Sequence, residues 1–256
     1  LDARPAQHLP IVLQVLLGKN HRARVLSLLA RFLDLGPWAV LQSLSVGICP
    51  YIYKLLGTDD PDLRHALVFI WTKVLAFDDT PQGDFVRNRE YCFFIETLSS
   101  SVPVSIDPRL FQHPHAERKM EEYRGVHEDG SGDDEEDEED EEDEEEEILD
   151  IRVMAAFVMS VLITKLRVVR EECLNNNFLQ MCLSLIAGTT PRQALFRLWL
   201  TLCLAKLWDG TEQGTWTEVH ALALGTLHKL ITDPSPEVRA AAVCALGTLI
   251  SPTPRA

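Results

Sequence analysis

The stretch HRARVLSLLARFLDLGPWAV at residues 21–40 carries the pattern on which the fold prediction rests. In it, an arginine opens an apolar helical segment, and the same arrangement returns along the chain. The recurring arginines are Arg22, Arg64, Arg152, Arg197 and Arg239, with successive gaps of 42, 88, 45 and 42 residues. A fixed spacing of about 40–47 residues is typical of stacked helix pairs, and the gap of 88 is close to two such repeats.

The residues after each arginine have the spacing of one helical face. Apolar side chains recur three, four, seven and ten positions later, which places them on the same side of a helix. Position seven holds Leu29, Trp71, Met159, Leu204 and Leu246. Position eight holds the short residues Ala30, Thr72, Ser160, Ala205 and Gly247, which let a neighbouring helix approach closely. We therefore predict an all-α fold, a right-handed α-solenoid of about five armadillo/HEAT-like helix pairs, with no sheet.

Turn residues divide this pattern into ten predicted helices. They cover about 6–18, 21–34, 37–56, 61–77, 82–98, 150–164, 167–187, 193–208 and 216–231, and the last starts at 236. Gly36-Pro37 is a stop followed by a start, and Ser235 is a candidate N-cap before Pro236. Each layer of a solenoid buries its apolar stripe only against its neighbours. We therefore expect unmet apolar faces on the first and last helices, as in a fragment of a longer protein.

An acidic run interrupts the repeats. Residues 133–147 are fifteen consecutive Asp or Glu, so the other acids number 39 − 15 = 24, equal to the 24 Lys and Arg. The net charge of −15 therefore lies in this run, and the neutral remainder gives no basic face for nucleic acid or anionic lipid. We predict repeats over 1–103, a disordered acidic insertion over 104–149, and the rest of one continuous solenoid over 150–251. The run is either a solvated loop or a docking tail for a basic protein.

Patterns required for catalysis, metal binding or membrane insertion are missing. The six cysteines form no CxxC pair and indicate buried residues in a reducing compartment. His113, His115 and His127 match no closed zinc motif. The longest apolar run, 153–163, is too short to cross a bilayer. With no GxSxG, HExxH, P-loop or dinucleotide fingerprint, we expect no enzyme, no cofactor and no metal.

The recurrent arginines admit two interpretations. They could form a row that binds a partner, or they could hold the repeat together by bonding turn carbonyls or an acidic residue of a neighbouring layer. The second is favoured because such positions commonly structure a repeat. Arg64 is the exception, since it lies beside a turn, and the turns form the exposed ridge of a solenoid. We predict a partner-binding ridge made of Asp59, Asp60, Arg64 and His65.

Several strings resemble one family. They are LDARPAQHLPIVLQVLL at 1–17, RFLDLGPWAV at 31–40, SLSVGICPYIYKLL at 43–56, DLRHALVFIWTKVLA at 62–76 and DPSPEVRAAAVCALGTLI at 233–250. Together they resemble the armadillo/HEAT region of the Raptor family, the regulatory-associated scaffold subunits of TOR complex one. Residues from about 104 to 148 depart from that family's pattern.

The resemblance implies a non-enzymatic scaffold in nutrient signalling and growth control. Its solenoid would dock on the TOR kinase's helical repeats and meet small Rag-type GTPases. It also implies a cytoplasmic protein that is recruited to the lysosomal or vacuolar surface. The alternative is another helical-repeat adaptor, such as a transport receptor or a phosphatase scaffold. A transport receptor would show a ladder of Trp and Asn along its groove, and this sequence has none.

Overall fold

A computed structural model describes residues 9–16, 18, 21–58, 60–77, 89–99, 136–209 and 217–250 of the chain. Within these ranges it contains twelve α-helices and no β-strand. They are α1 Leu9–Leu16, α2 Arg22–Leu33, α3 Pro37–Ser45, α4 Cys49–Leu56, α5 Pro61–Phe77, α6 Cys92–Ser99, α7 Glu136–Lys165, α8 Arg167–Asn175, α9 Phe178–Ala187, α10 Ala194–Trp208, α11 Thr217–Leu230 and α12 Pro236–Ile250. The all-α prediction is confirmed.

The chain divides into two compact units. The first contains Leu1–Asp79 and Gln112–Arg152, and the second contains Thr80–Phe111 and Val153–Ala256. The predicted division at 103 and 149 stays a prediction. Each unit has its own core, because each contains helices whose apolar stripes meet one another.

In the first unit, α2 packs against α1, α3 and α5, and α4 packs against α5. Trp71 on α5 is fully buried and meets the ring of Tyr53 on α4, with 4.6 Å between centroids. An ion pair of 2.7 Å between Lys73 Nζ and Asp34 Oδ1 joins α5 to the end of α2. The apolar stripe and one polar link together fix α5 against the helices that precede it.

In the second unit, α10 is a largely buried helix. Nine of its fifteen residues are buried, and it packs against α9 and α12. Its Trp199 ring lies edge-on to Phe157 of α7 at 4.8 Å, and Cys203 Sγ donates to the Ala156 carbonyl at 3.4 Å. Ala205 on α10 is buried as its short side chain predicts. This helix positions the polar site described below.

The repeat pattern predicts burial well except in the last helix. Leu29, Trp71, Met159 and Leu204, each seven residues after an arginine, are all buried. In α12 the corresponding Leu246 is partly exposed, because other residues form the buried side of this helix: Val238, Ala241, Ala242, Ala245 and Leu249. Apolar side chains on α1 and α12 remain exposed, as predicted for the first and last helices: Ile11, Val15, Val243 and Ile250.

Two predicted helices are each broken in two. The helix predicted at 37–56 stops at Ser45, and α4 starts at Cys49 with a 91° bend between them. Gly47 makes this break with φ of 81°, a left-handed conformation that glycine adopts without strain. The helix predicted at 167–187 breaks at Asn177, whose φ is 59°. Asparagine tolerates this conformation better than most residues, so three consecutive asparagines at 175–177 were the overlooked signal.

Two further boundaries differ from the predictions. We predicted a helix over 82–98, but Arg89 has φ of 57° and α6 begins only at Cys92, while residues 78–88 lie outside the described ranges. The helix predicted at 150–164 begins earlier, since α7 already starts at Glu136. Glutamate is a good helix former, and acidic residues are favoured near a helix N-terminus by the helix dipole. As a result Arg152 lies inside α7 instead of opening a helix.

Candidate functional site

Arginines hold the joints between successive helices. Arg22 Nε donates to the carbonyl of Leu16 at the end of α1, at 3.3 Å. Arg197 donates to the carbonyls of Thr190 and Pro191, and Arg239 to those of Asp233 and Pro234. We call this contact an arginine clamp: a guanidinium near a helix start that binds carbonyls five to seven residues earlier. It confirms the structural interpretation for these three arginines.

A fourth clamp was missed by the sequence analysis. Arg170 donates to the carbonyls of Ile163 at 3.2 Å and Thr164 at 3.3 Å. It also donates to the carbonyl of Asp209, just after α10, at 2.7 Å. Arg170 has no place in the spacing of about 42 residues, but it is the fourth residue of α8, as Arg197 is of α10 and Arg239 is of α12.

The fourth position explains why arginine acts as a clamp. Side chains on a helix lean toward its N-terminus, so a long side chain there reaches the turn before the helix. For Arg22 and Arg170 the acceptors lie in the last turn of the preceding helix, whose carbonyls lack intrahelical partners and carry the negative end of its dipole. For Arg197 and Arg239 the acceptors are carbonyls of the turn itself. A guanidinium offers five donors in a planar fork and can bind several carbonyls at once. Helix register and arginine chemistry therefore combine at Arg170, Arg197 and Arg239, whereas Arg22 is the first residue of α2.

The most buried clamp includes an ion pair. Arg197 Nε donates to Asp233 Oδ2 at 2.8 Å, and its Nη2 to Asp233 Oδ1 at 3.3 Å. Both side chains are only 6% exposed. The backbone N–H of Ser235 also donates to Asp233 Oδ1, at 2.9 Å. Burial alone would raise the pKa of Asp233, but these hydrogen bonds and the charges of Arg197 and Arg239 hold that pKa below its ordinary value.

A cavity of about 380 Å³ lies beside this ion pair. Its walls include Ile186, Pro191, Leu230 and Pro234, and Lys229 stands among them. Three threonine hydroxyls that line it each donate to a backbone carbonyl three or four residues earlier: those of Thr189, Thr226 and Thr232. With Asp233 held by Arg197, the cavity presents mostly apolar walls and one ammonium. It can hold a side chain of a partner but brings no acid and base together.

The predicted ridge lies at the start of α5. Asp60 directly precedes Pro61, and its carbonyl accepts the Leu63 N–H at 3.2 Å. Asp60 and His65 are exposed, whereas Arg64 is partly buried at the fourth position of α5. Asp60 and Arg64 are four residues apart and so share one face of this turn. Asp59 lies outside the described residues.

The remaining candidate groups are not among the described side chains. His113, His115 and His127 lie outside the described residues, and no side chain of the acidic run 133–147 is described. Across the described ranges, no three His, Cys, Asp or Glu side chains are grouped to hold a metal ion. No single helix there is long and apolar enough to cross a membrane, although the bent pair α3–α4 passes by length and composition.

The cysteine prediction holds for most of the thiols. Four are buried and one is exposed, while Cys49 is intermediate: the buried ones are Cys92, Cys173, Cys182 and Cys203, and the exposed one is Cys244. All six are free thiols. Burial raises the pKa of the Cys92 thiol to about 11, so that group stays protonated at neutral pH. Buried thiols of this kind are inert packing groups.

Comparison with known proteins identifies close relatives. The chain is 40% identical over 247 residues to the protein raptor homolog of Dictyostelium discoideum, covering 96% of the chain and 13% of that protein. It is 40% identical over 251 residues to regulatory-associated protein of TOR 1 of Arabidopsis thaliana, covering 96% of the chain and 15% of the relative. It is 32% identical to target of rapamycin complex 1 subunit mip1 of Schizosaccharomyces pombe, covering 98% of the chain and 16% of that subunit. The chain thus spans about a sixth or less of these relatives.

Solved structures agree with this relationship. The crystal structure of Chaetomium thermophilum Raptor matches with a TM-score of 0.72 and 31% identity, over 97% of the chain and 20% of that protein. A computationally designed armadillo repeat protein matches with a TM-score of 0.59 at 15% identity, over 94% of the chain and 81% of the design, which shows the fold alone. No family model matches the chain. The expected α-solenoid class is confirmed by these neighbours.

Proposed function

Because this chain is homologous to a segment of the Raptor proteins, we propose that it is a non-catalytic scaffold segment of a TOR complex. The observation that carries the proposal is 40% identity over 96% of the chain to a raptor homolog. The geometry supports it, because buried and partly buried arginines of the second unit bind the chain's own carbonyls and a carboxylate. Such groups fix the angles between helices and leave the remaining surface for partners.

We further propose that the partners are the TOR kinase and a small GTPase of the Rag type. The GTPase contact is assigned to the ridge of Asp60, Arg64 and His65, with Asp59 beside it in sequence. Asp60 and His65 are exposed at the start of a helix, where side chains can meet another protein without a rearrangement of the core. A cytoplasmic protein recruited to the lysosomal or vacuolar surface fits these partners.

The alternative is a helical-repeat adaptor for another assembly, such as a phosphatase scaffold. Such an adaptor would have the same fold class, because a designed armadillo repeat protein shares this fold at only 15% identity. It is disfavoured because nearly the whole chain aligns with relatives that are named as raptor or TOR-complex proteins. The acidic run 133–147 could serve a basic partner in either case. Such binding would weaken steeply with salt, and deletion of 128–147 would abolish it.

The test of the scaffold role is co-purification at native abundance. The protein is tagged at its own locus and isolated under conditions that preserve large complexes. We expect the TOR kinase to be recovered with it. Recovery of the intact protein without the kinase, in growing and in starved cells, would reject the TOR-complex role.

The ridge is tested separately by charge. His65→Glu places a negative charge at an exposed position, and Arg64→Glu reverses the charge at a partly buried one. Arg192→Glu, an exposed arginine in the turn before α10, is the matched control. We expect the ridge variants alone to lose the GTPase while the kinase is retained. Unchanged GTPase recovery by folded ridge variants would remove Asp60, Arg64 and His65 from that interface.

A further inference from the structure

The outward face of α2 alternates arginine and leucine. Arg24, Leu28 and Arg31 are spaced by four and three residues along one side of α2, and Leu35 lies in the turn that follows the helix. All four are exposed; Leu28 is 56% and Leu35 is 61% exposed. The inner side of α2 is already occupied, since Leu26, Leu29 and Leu33 form its buried stripe. The alternating side therefore contributes nothing to the core of the first unit.

Two positive charges on this face are uncompensated. Arg24 and Arg31 form no hydrogen bond and no ion pair in the described part of the chain, unlike Arg22 on the same helix, which is a clamp. The nearest acid along α2, Asp34, is engaged by Lys73 of α5 at 2.7 Å. The two guanidinium groups are thus free to pair with carboxylates that another molecule supplies.

Apolar surface continues from α2 onto α3. Trp38 is 38% exposed and Leu41, three residues later, is 58% exposed. The Trp38 ring is held edge-on against Phe32 of α2, with 5.6 Å between the ring centroids. Tryptophan and arginine are the residue types enriched at energetically dominant interface positions. We call these six residues the α2–α3 face: Arg24, Leu28, Arg31, Leu35, Trp38 and Leu41.

We propose that the α2–α3 face docks an amphipathic helix of a partner protein whose apolar side chains are flanked by Asp or Glu. An apolar stripe at i, i+3, i+4 and i+7 would cover Leu28, Leu35 and Leu41, and its carboxylates would pair with the two arginines. The chain's own acidic run 133–147 matches the charges only, because it contains no apolar residue. The proposal stands on the side chains of this face, so it and the TOR-complex assignment can fail separately.

The experiment uses the full protein and synthetic helical probes. A fluorescent Leu/Glu amphipathic peptide is compared with its Leu/Lys counterpart by anisotropy. Arg24→Glu with Arg31→Glu is the charge variant, and Leu28→Ser with Leu41→Ser is the apolar variant. Arg192→Glu with Lys54→Glu, two exposed cations outside the α2–α3 face, is the matched control.

We expect the Leu/Glu peptide to bind wild type and the control equally. The charge variant should raise its Kd by roughly tenfold or more, and the apolar variant should weaken it as well. The charge variant should gain affinity for the Leu/Lys peptide, which a loss of folding cannot produce.

Three outcomes would overturn the proposal. The first is equal binding of the Leu/Glu peptide by wild type and charge variant, or no binding at all. The second is that binding appears only after deletion of 133–147, which would make that run the occupant. The third is a wild-type dimer in sedimentation that the charge variant lacks, which would make the occupant a second copy of the chain.

Discussion

The Arg197–Asp233 pair gives the sharpest test of how the second unit is held together. Asp233→Ala removes both acceptors that the carboxylate offers to Arg197, at 2.8 and 3.3 Å, and the acceptor of the Ser235 N–H. The guanidinium keeps the Thr190 and Pro191 carbonyls but becomes a buried charge without a counter-ion. Removing one partner of such a pair costs about 3–5 kcal/mol. We expect that loss in the free energy of unfolding at pH 7, measured by urea denaturation.

The matched control is an exposed ion pair. Arg167 Nε and Glu171 Oε1 are 2.6 Å apart, with side chains 87% and 54% exposed. Such pairs are screened by water and contribute little, so Glu171→Ala should leave the urea midpoint unchanged. Equal effects of the two alanine substitutions would mean that burial does not set the strength of the Arg197–Asp233 pair.

The dependence on pH provides a second measurement on the same variant. The pKa of Asp233 is lower in the folded chain than in the unfolded one, where it is about 4. Its stabilisation is therefore fully present above about pH 4 and is lost as the pH falls through the folded pKa. The gap between wild type and Asp233→Ala should shrink below pH 4. Adding Arg197→Met to the variant should recover part of the lost free energy of unfolding, because both buried charges are then gone. If the losses of the two single substitutions simply add in the double variant, the two side chains do not stabilise each other.

Three further predictions concern single positions. Ser43 Oγ is buried with no hydrogen-bond partner in the described part of the chain, so Ser43→Ala should raise the urea midpoint; a lower midpoint would reveal a hidden partner. Gly47→Ala should destabilise by about 1–2 kcal/mol because φ is 81°. Gly57→Ala, with equal space around it and negative φ, should be neutral or stabilising, and a similar loss at both would exclude φ as the cause. At pH 8 a disulfide reagent should label Cys244 rapidly and Cys92 only in urea; fast labelling of Cys92 would contradict its raised pKa of about 11.

Regular features of the fold could be predicted, and features set by one residue could not. The helices at 61–77, 193–208 and 236–250 were predicted closely because their apolar spacing runs between clear start and stop residues. The breaks at Gly47 and Asn177 depend on one left-handed residue inside an unbroken apolar pattern. At Arg89 the same conformation occurs in a residue that gives no such signal, so the start of α6 could not be predicted.

The candidate sites show a similar limit. The surface position of Asp60 and His65 followed from their place at the start of a helix. The partner of Arg197 did not, because Asp233 is 36 residues away and nothing in the sequence pairs the two. Arg170 was not predicted because it lies off the repeat spacing, whereas its clamp depends on its position within α8.

The arginine clamps also bear on the order of folding. Each joins atoms five to seven residues apart, so closing one restricts only a very short loop and costs little chain entropy. Contacts of such small sequence separation form fast compared with those between distant segments. We expect the joints behind α2, α8 and α12 to be protected early in pulse-labelled hydrogen exchange. The path of the chain from one helix to the next is then decided locally, before the long-range pair of Arg197 and Asp233 forms.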